Sequence, residues 1–166
     1  MSLFRKTQPL ARSALFGVLA VVLVVAASGL GALATFPHLE PWYASLRKPS
    51  FVPPNALFGP VWTALYALMA FAFWRILRLP RETPGRSAAI AAFLAQLALN
   101  ALWSFLFFTA QNPLLGLLDI VPQWALIALT IALFLPLDRL AALCLVPLAL
   151  WVGFATALNF AIWRMN

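Results

Sequence analysis

Tryptophan, tyrosine and carboxamide side chains recur at helical spacing in this chain, and they are the groups best placed to do chemistry. Trp62, Tyr66, Met69 and Phe73 fall three or four residues apart, as do Gln96, Asn100, Trp103 and Phe107, and again Trp151, Ala155, Asn159 and Ile162. Residues at that spacing share one face of a helix. Flat rings with a few amides offer stacking and hydrogen bonding without bond making, which suits a large, planar, mostly apolar ligand. An aromatic stripe on its own is ordinary helix packing, and a single intramembrane Asn or Gln is often glue between helices worth about 0.6–2 kcal/mol. Three such faces in one short chain favour a pocket.

Groups for covalent or metal chemistry are sparse. There is one cysteine, Cys144, one histidine, His38, and four carboxylates at Glu40, Glu82, Asp119 and Asp138. A single cysteine excludes a disulfide framework and a CxxC redox or zinc site within one chain. No phosphate-binding glycine loop, nucleophile elbow or paired-histidine motif occurs, so hydrolase or ATPase chemistry is not expected, nor a catalytic residue, metal or resident cofactor. His38 has nothing beside it in the sequence to complete a haem-iron site and reads as an exposed polar residue. Asp119 is the carboxylate inside an apolar run, and an intramembrane acid is a functional suspect by default. It also falls early in its run, where a helix dipole and nearby water would favour a purely structural negative charge.

The elements that must position these groups are membrane helices. Hydrophobic residues make up 64% of the 166-residue chain and charged residues 9%, against roughly 25% charged in soluble domains. Charges bound five apolar runs, giving expected helices over about 14–34, 56–78, 87–110, 114–135 and 140–164, with a first loop over 35–55. Each is long enough to cross about 30 Å of hydrocarbon. Continuous apolar runs argue against a β-barrel, whose strands alternate in polarity. The fold class is thus an all-α integral membrane protein. It forms one five-transmembrane-helix bundle in which a proline-rich loop, with Pro49, Pro53, Pro54 and Pro60 in or beside it, caps a ligand pocket.

The first run, preceded by Arg5, Lys6 and Arg12 and closed by Ala32-Leu33-Ala34, has features of a cleaved signal. It is longer than such apolar cores, and a retained first helix is expected. Of the eleven basic residues, Arg5, Lys6, Arg12, Arg75, Arg78, Arg81, Arg86 and Arg139 lie on one side, and Arg47, Lys48 and Arg164 on the other. The positive-inside rule then puts the N-terminus in the cytoplasm and the C-terminus opposite, with a bacterial cell membrane as the expected location. Basic residues at helix ends meet anionic lipid, and no nucleic-acid partner is expected. Trp42, Tyr43 and Trp163 are placed where an interfacial aromatic belt would put them.

The chain reads Trp42-Tyr43, Leu46-x-Lys48-Pro49-x-Phe51-x-Pro53-Pro54 and Phe58-x-Pro60-x-Trp62-x-x-Leu65-Tyr66 in order. It continues with Gln96-x-x-x-Asn100-x-x-Trp103, Phe107-Phe108, Leu118-Asp119 and Pro147-x-x-x-Trp151-x-x-Phe154-Ala155-Thr156-x-Leu158-Asn159. From Trp42 onward it resembles the TspO/MBR family: translocator proteins, tryptophan-rich sensory proteins and peripheral-type benzodiazepine receptors. The resemblance implies a five-helix bundle binding protoporphyrin IX, haem and related tetrapyrroles as sensor or transporter. In some members the ligand is cholesterol or a synthetic isoquinoline or benzodiazepine. It implies ligand contacts from Tyr43, Pro53, Trp62, Tyr66, Asn100, Trp103, Ser104, Trp151 and Ala155, and it allows a light-dependent porphyrin-degrading enzyme or a sterol-binding translocator as alternatives. It also implies a homodimer, for which Ala88, Ala91, Ala92, Ala95 and Ala98 give the third helix small-xxx-small spacing.

Two positions depart from the family pattern. Leu148 stands where a tyrosine commonly follows the proline of the fifth helix, and Phe160 where the sterol-recognition pattern needs a tyrosine. Tetrapyrrole is therefore favoured over cholesterol.

Overall fold

An apolar run in a bilayer has no water to satisfy its backbone, so it must close its hydrogen bonds within itself and coil. The computed structural model, which describes residues 10–166, contains five long helices among those residues. They are α1 (Leu10–Thr35), α2 (Asn55–Leu77), α3 (Arg86–Ser104), α4 (Pro113–Phe134) and α5 (Arg139–Met165). All five are long and apolar enough to span a membrane, and no strand occurs among the described residues. The chain is a multi-pass integral membrane protein. Arg5 and Lys6 lie outside the described residues.

The expected first loop is not loop throughout. A 3-10 turn, Phe36–His38, and a wide turn, Leu39–Tyr43, continue the chain from α1 before an irregular strap leads to α2. Leu39, Trp42 and Tyr43 coil because they pack on Phe107 and Phe108 at the end of α3, a long-range contact that local propensity does not register. Trp42 meets Phe107 edge-on at 5.5 Å, so its ring packs against the bundle. α3 likewise runs on through a wide turn, Phe105–Thr109. The connection to α4 turns sharply at Gln111, whose φ of 50° is left-handed. Asn112 then caps α4 by accepting from the Leu114 and Leu115 amides at 3.0 and 3.1 Å, with Pro113 in the first turn, where its missing N–H costs nothing.

At the other end of the bundle the helices are tied closely. The Phe73 and Phe93 rings stack at 4.2 Å and 7°, and Phe93 also faces Phe134 at 6.1 Å. The Arg86 guanidinium donates to the Ile76 and Leu77 carbonyls at 3.3 and 3.0 Å, which fastens α3 to the end of α2. Trp74 Nε1 donates to Ser13 O at 3.0 Å, fastening α2 to α1. Arg75 and Asp138 form an ion pair at 2.8 Å. Asp138 also caps α5 by accepting from the Ala141 amide at 3.0 Å.

Candidate functional site

The aromatic stripes of α2, α3 and α5 converge toward the loop end of the bundle, where they enclose a cavity of about 570 Å³. Eight of the nine expected contact residues line it: Tyr43, Trp62, Tyr66, Asn100, Trp103, Ser104, Trp151 and Ala155. From α2, Trp62 and Tyr66 stack on one another at 5.3 Å and 29°, an offset pair one turn apart. From α3, Trp103 stacks on Phe107 at 4.8 Å and 19°. From α5, Trp151 is held by the edge of Phe58 at 5.7 Å. Tyr43 comes down from the turn after α1, and the Lys48 ammonium sits 4.5 Å above its ring centre, a cation–π contact that steadies the roof.

The amides do two different jobs. Asn159 is committed to structure: its Oδ1 accepts from Trp103 Nε1 at 3.0 Å, and its Nδ2 donates to Pro113 O at 2.7 Å, joining α3, α4 and α5. That clasp demands Gly116, since a Cβ there would come within 2.9 Å of both Asn159 Oδ1 and the Phe107 ring. Asn100 is only half committed. Its Oδ1 accepts from the Tyr66 hydroxyl at 2.8 Å, leaving the NH2 facing the cavity as a donor. Gln123 of α4 adds a second amide to the wall.

Sequence reasoning missed several wall residues. Besides Gln123, the whole α1 side, with Ser28, Gly31, Ala32 and Thr35, and the start of α2, with Asn55 and Thr63, lines the cavity. The spacing of Ser28, Gly31, Ala32 and Thr35 does mark one helix face, but small residues resemble ordinary helix-packing positions. Pro53 is the correction in the opposite direction. It lies half-buried in the strap before α2 and does not line the cavity.

Other residues singled out from the sequence fall outside the cavity. Asp119 is 6% exposed with one carboxylate oxygen unpaired, beside the wall residues Ile120 and Gln123 but not in the wall. Gln96 is fully buried below Asn100, with both amide atoms unpaired. His38 is half-buried, its Nδ1 3.0 Å from Ala34 O at the end of α1. Leu148 packs in the main apolar core and does not line the cavity, and Phe160 faces outward. No cluster of three or more metal-ligating side chains occurs among the described residues.

The sequence profile of the TspO/MBR family matches residues 19–164. The chain is 41% identical over 149 residues to the tryptophan-rich protein TspO of Archaeoglobus fulgidus, covering 90% of this chain and 95% of that one. It is 39% identical to the protein CrtK of Rhodobacter capsulatus, covering 87% and 91%. It is 35% identical to the translocator protein of Homo sapiens, covering 75% of each.

Proposed function

The chain belongs to the TspO/MBR family, and from that premise we propose that it is a membrane-embedded binding protein and sensor for porphyrins, taking protoporphyrin IX, haem or a related tetrapyrrole. The observation that carries this reading is the cavity itself. Its volume falls within the roughly 300–1,000 Å³ of small-molecule sites. Trp62, Tyr66, Trp103 and Trp151 give it flat aromatic walls, and Asn100 and Gln123 supply the few polar contacts. A planar macrocycle needs faces to stack on and donors for its polar periphery, and this lining offers both.

Titration of the purified protein with protoporphyrin IX in the dark, followed by tryptophan fluorescence, tests the reading. Saturable quenching at micromolar ligand or below is expected. Trp151→Phe and Asn100→Ala should each weaken it by about five- to tenfold, the loss of one ring contact or one hydrogen bond. Binding that ignores both substitutions would refute the assignment.

The reading includes sidedness and assembly. Arg75, Arg78, Arg81, Arg86 and Arg139 gather at the tied end of the bundle, which supports placing that end in the cytoplasm of a bacterial cell and the cavity toward the opposite leaflet. Ala88, Ala91, Ala95 and Ala98 of α3 are exposed and support a homodimer through that helix. Ala92 is buried in its own bundle and does not belong to the contact.

A further inference from the structure

The cavity has two conceivable routes in, through its roof or through its side, and they differ in how they are closed. The roof is clasped. Asn166 Oδ1 accepts from the Arg47 amide at 2.9 Å while its Nδ2 donates to the Arg47 carbonyl at 3.1 Å, so one side chain at the end of α5 holds the strap by both backbone groups. Phe51 meets Phe154 edge-on at 6.2 Å, and Phe58 meets Trp151, adding ring contacts between the strap region and α5.

The side between α1 and α2 is built otherwise. These helices are fastened at their tied ends, by Trp74 on Ser13 and by the fit of Trp74 against Gly17, where a Cβ would sit 3.5 Å from the indole. Toward the loop end, α1 approaches α3 instead: a Cβ on Gly31 would sit 3.3 Å from Ser104 Oγ. On α2, Ala56, Gly59 and Thr63 occupy successive turns, and each both lines the cavity and is exposed, so no other helix covers this stretch of the wall. A Cβ added at Gly59 would meet no atom within 4 Å. These positions span the first turns of α2, from the loop-end interface to about 10 Å deeper at 1.5 Å per residue.

We infer that the cavity opens sideways into the lipid through a mouth between α1 and the first turns of α2, with Gly59 on the α2 edge of that mouth, and that ligand passes through it while the roof stays shut. The inference rests on the tetrapyrrole reading above and adds a requirement on the ligand. It must first dissolve in the leaflet as a flat amphiphile, its polar edge at headgroup depth where Asn55 and Thr35 line the opening. A water-soluble analogue with charges on every edge would be excluded by the route, even if the cavity could hold it.

The test is stopped-flow quenching of tryptophan fluorescence, with the full chain in lipid nanodiscs mixed with vesicles carrying protoporphyrin IX. It compares wild type, Gly59→Ala, Gly59→Leu, Ala56→Leu and Asn166→Ala. Association and dissociation through Gly59→Leu should both slow by about tenfold while their ratio moves less than about twofold, because a gate is crossed in both directions. Gly59→Ala should give a smaller change in the same sense, and Ala56→Leu, plugging the same mouth from the next turn, should repeat the slowing. Asn166→Ala should leave both rates as in wild type. Unchanged rates in both leucine variants, or faster rates in Asn166→Ala, would overturn the mouth in favour of the roof. A fall in affinity carried by dissociation alone would make Gly59 a wall residue and overturn it equally. Absence of saturable quenching in wild type would instead overturn the tetrapyrrole reading on which the route depends.

Discussion

At the arginine-rich end the helices meet through stacked rings and committed polar pairs, whereas at the loop end the same helices spread around a hollow whose donors are partly free. Phe73, Phe93 and Phe134 fill the first region. Trp62, Tyr66, Trp103 and Trp151 surround the second without filling it. Arg86 spends its guanidinium on the end of α2 and Arg75 on Asp138, while Asn100 keeps its NH2 facing the cavity. Both regions are rich in aromatic residues, so composition does not separate them. What separates them is whether the rings fill the space between the helices: Phe73 and Phe93 stack face to face across it, whereas Trp62 and Tyr66 stack along one helix and leave a hollow beside them. Rigidity at one end lets the other stay open, since a cavity in lipid forfeits dispersion contacts that must be recovered elsewhere.

The most forceful way to break this division is Phe93→Ala. The ring is fully buried and stacked on two others, so its loss should cost about 3–4 kcal/mol of stability by the usual scale for a buried aromatic. The apparent melting temperature in detergent should fall substantially. If the two ends are independent, protoporphyrin IX affinity of the protein that remains folded should be unchanged. A matching loss of affinity at temperatures well below unfolding would show the ends to be coupled.

The fold was largely legible because each span announces itself by length and by the charges that end it. The first half of the loop was not, because Leu39, Trp42 and Tyr43 coil only when Phe107 and Phe108 receive them. In the cavity, the aromatic wall could be read from i, i+3 and i+4 spacing, since large rings leave a periodic mark. The α1 wall left none, because Ser28, Gly31, Ala32 and Thr35 serve by being small. Gln123 lies one turn beyond Asp119 on the same side of α4, and a lone amide among apolar residues leaves no periodic mark of its own. Pro53 was a contact implied by the family resemblance and by no spacing in the chain, and its place in the strap leaves it off the wall.

A milder change sharpens the comparison at the tied end and brings pH into it. Burial alone would raise the Asp138 carboxyl, but the Arg75 hydrogen bond, the Ala141 amide and the Arg75 charge outweigh it and hold the group below its ordinary value of 3.8. A depressed folded-state value means that the stabilisation is fully present above the unfolded value and is lost as pH falls through the folded one. Asp138→Asn keeps an oxygen for the Ala141 amide and removes the charge. With Arg75 partly exposed, the substitution should cost about 1–2 kcal/mol near neutral pH. Thermal unfolding followed by circular dichroism should show wild type losing this advantage below pH 3.8, with the two proteins converging there. A gap that stays constant with acid would mean that the ion pair contributes nothing beyond the cap.

The smallest change is the most specific to the open end. Tyr66→Phe keeps the ring that stacks on Trp62 and deletes the hydroxyl that donates to Asn100 Oδ1. Stability should change by no more than about 1 kcal/mol, because the carbonyl released lines a cavity and can be satisfied by ligand or water. Binding should respond in a direction that reveals the ligand's polarity. Without the hydroxyl, the Asn100 amide can rotate and present its acceptor. A ligand whose edge carries donors should then bind a few-fold more tightly, and one whose edge carries carboxylates should lose a few-fold, about 1 kcal/mol either way. Protoporphyrin IX, with its propionates, should follow the second course, and the same titration on Tyr66→Phe and Asn100→Ala should show non-additive losses because the two side chains share one bond. Additive losses would mean that Tyr66 and Asn100 touch the ligand independently. The bond between them would then be no part of how the open end selects what it holds.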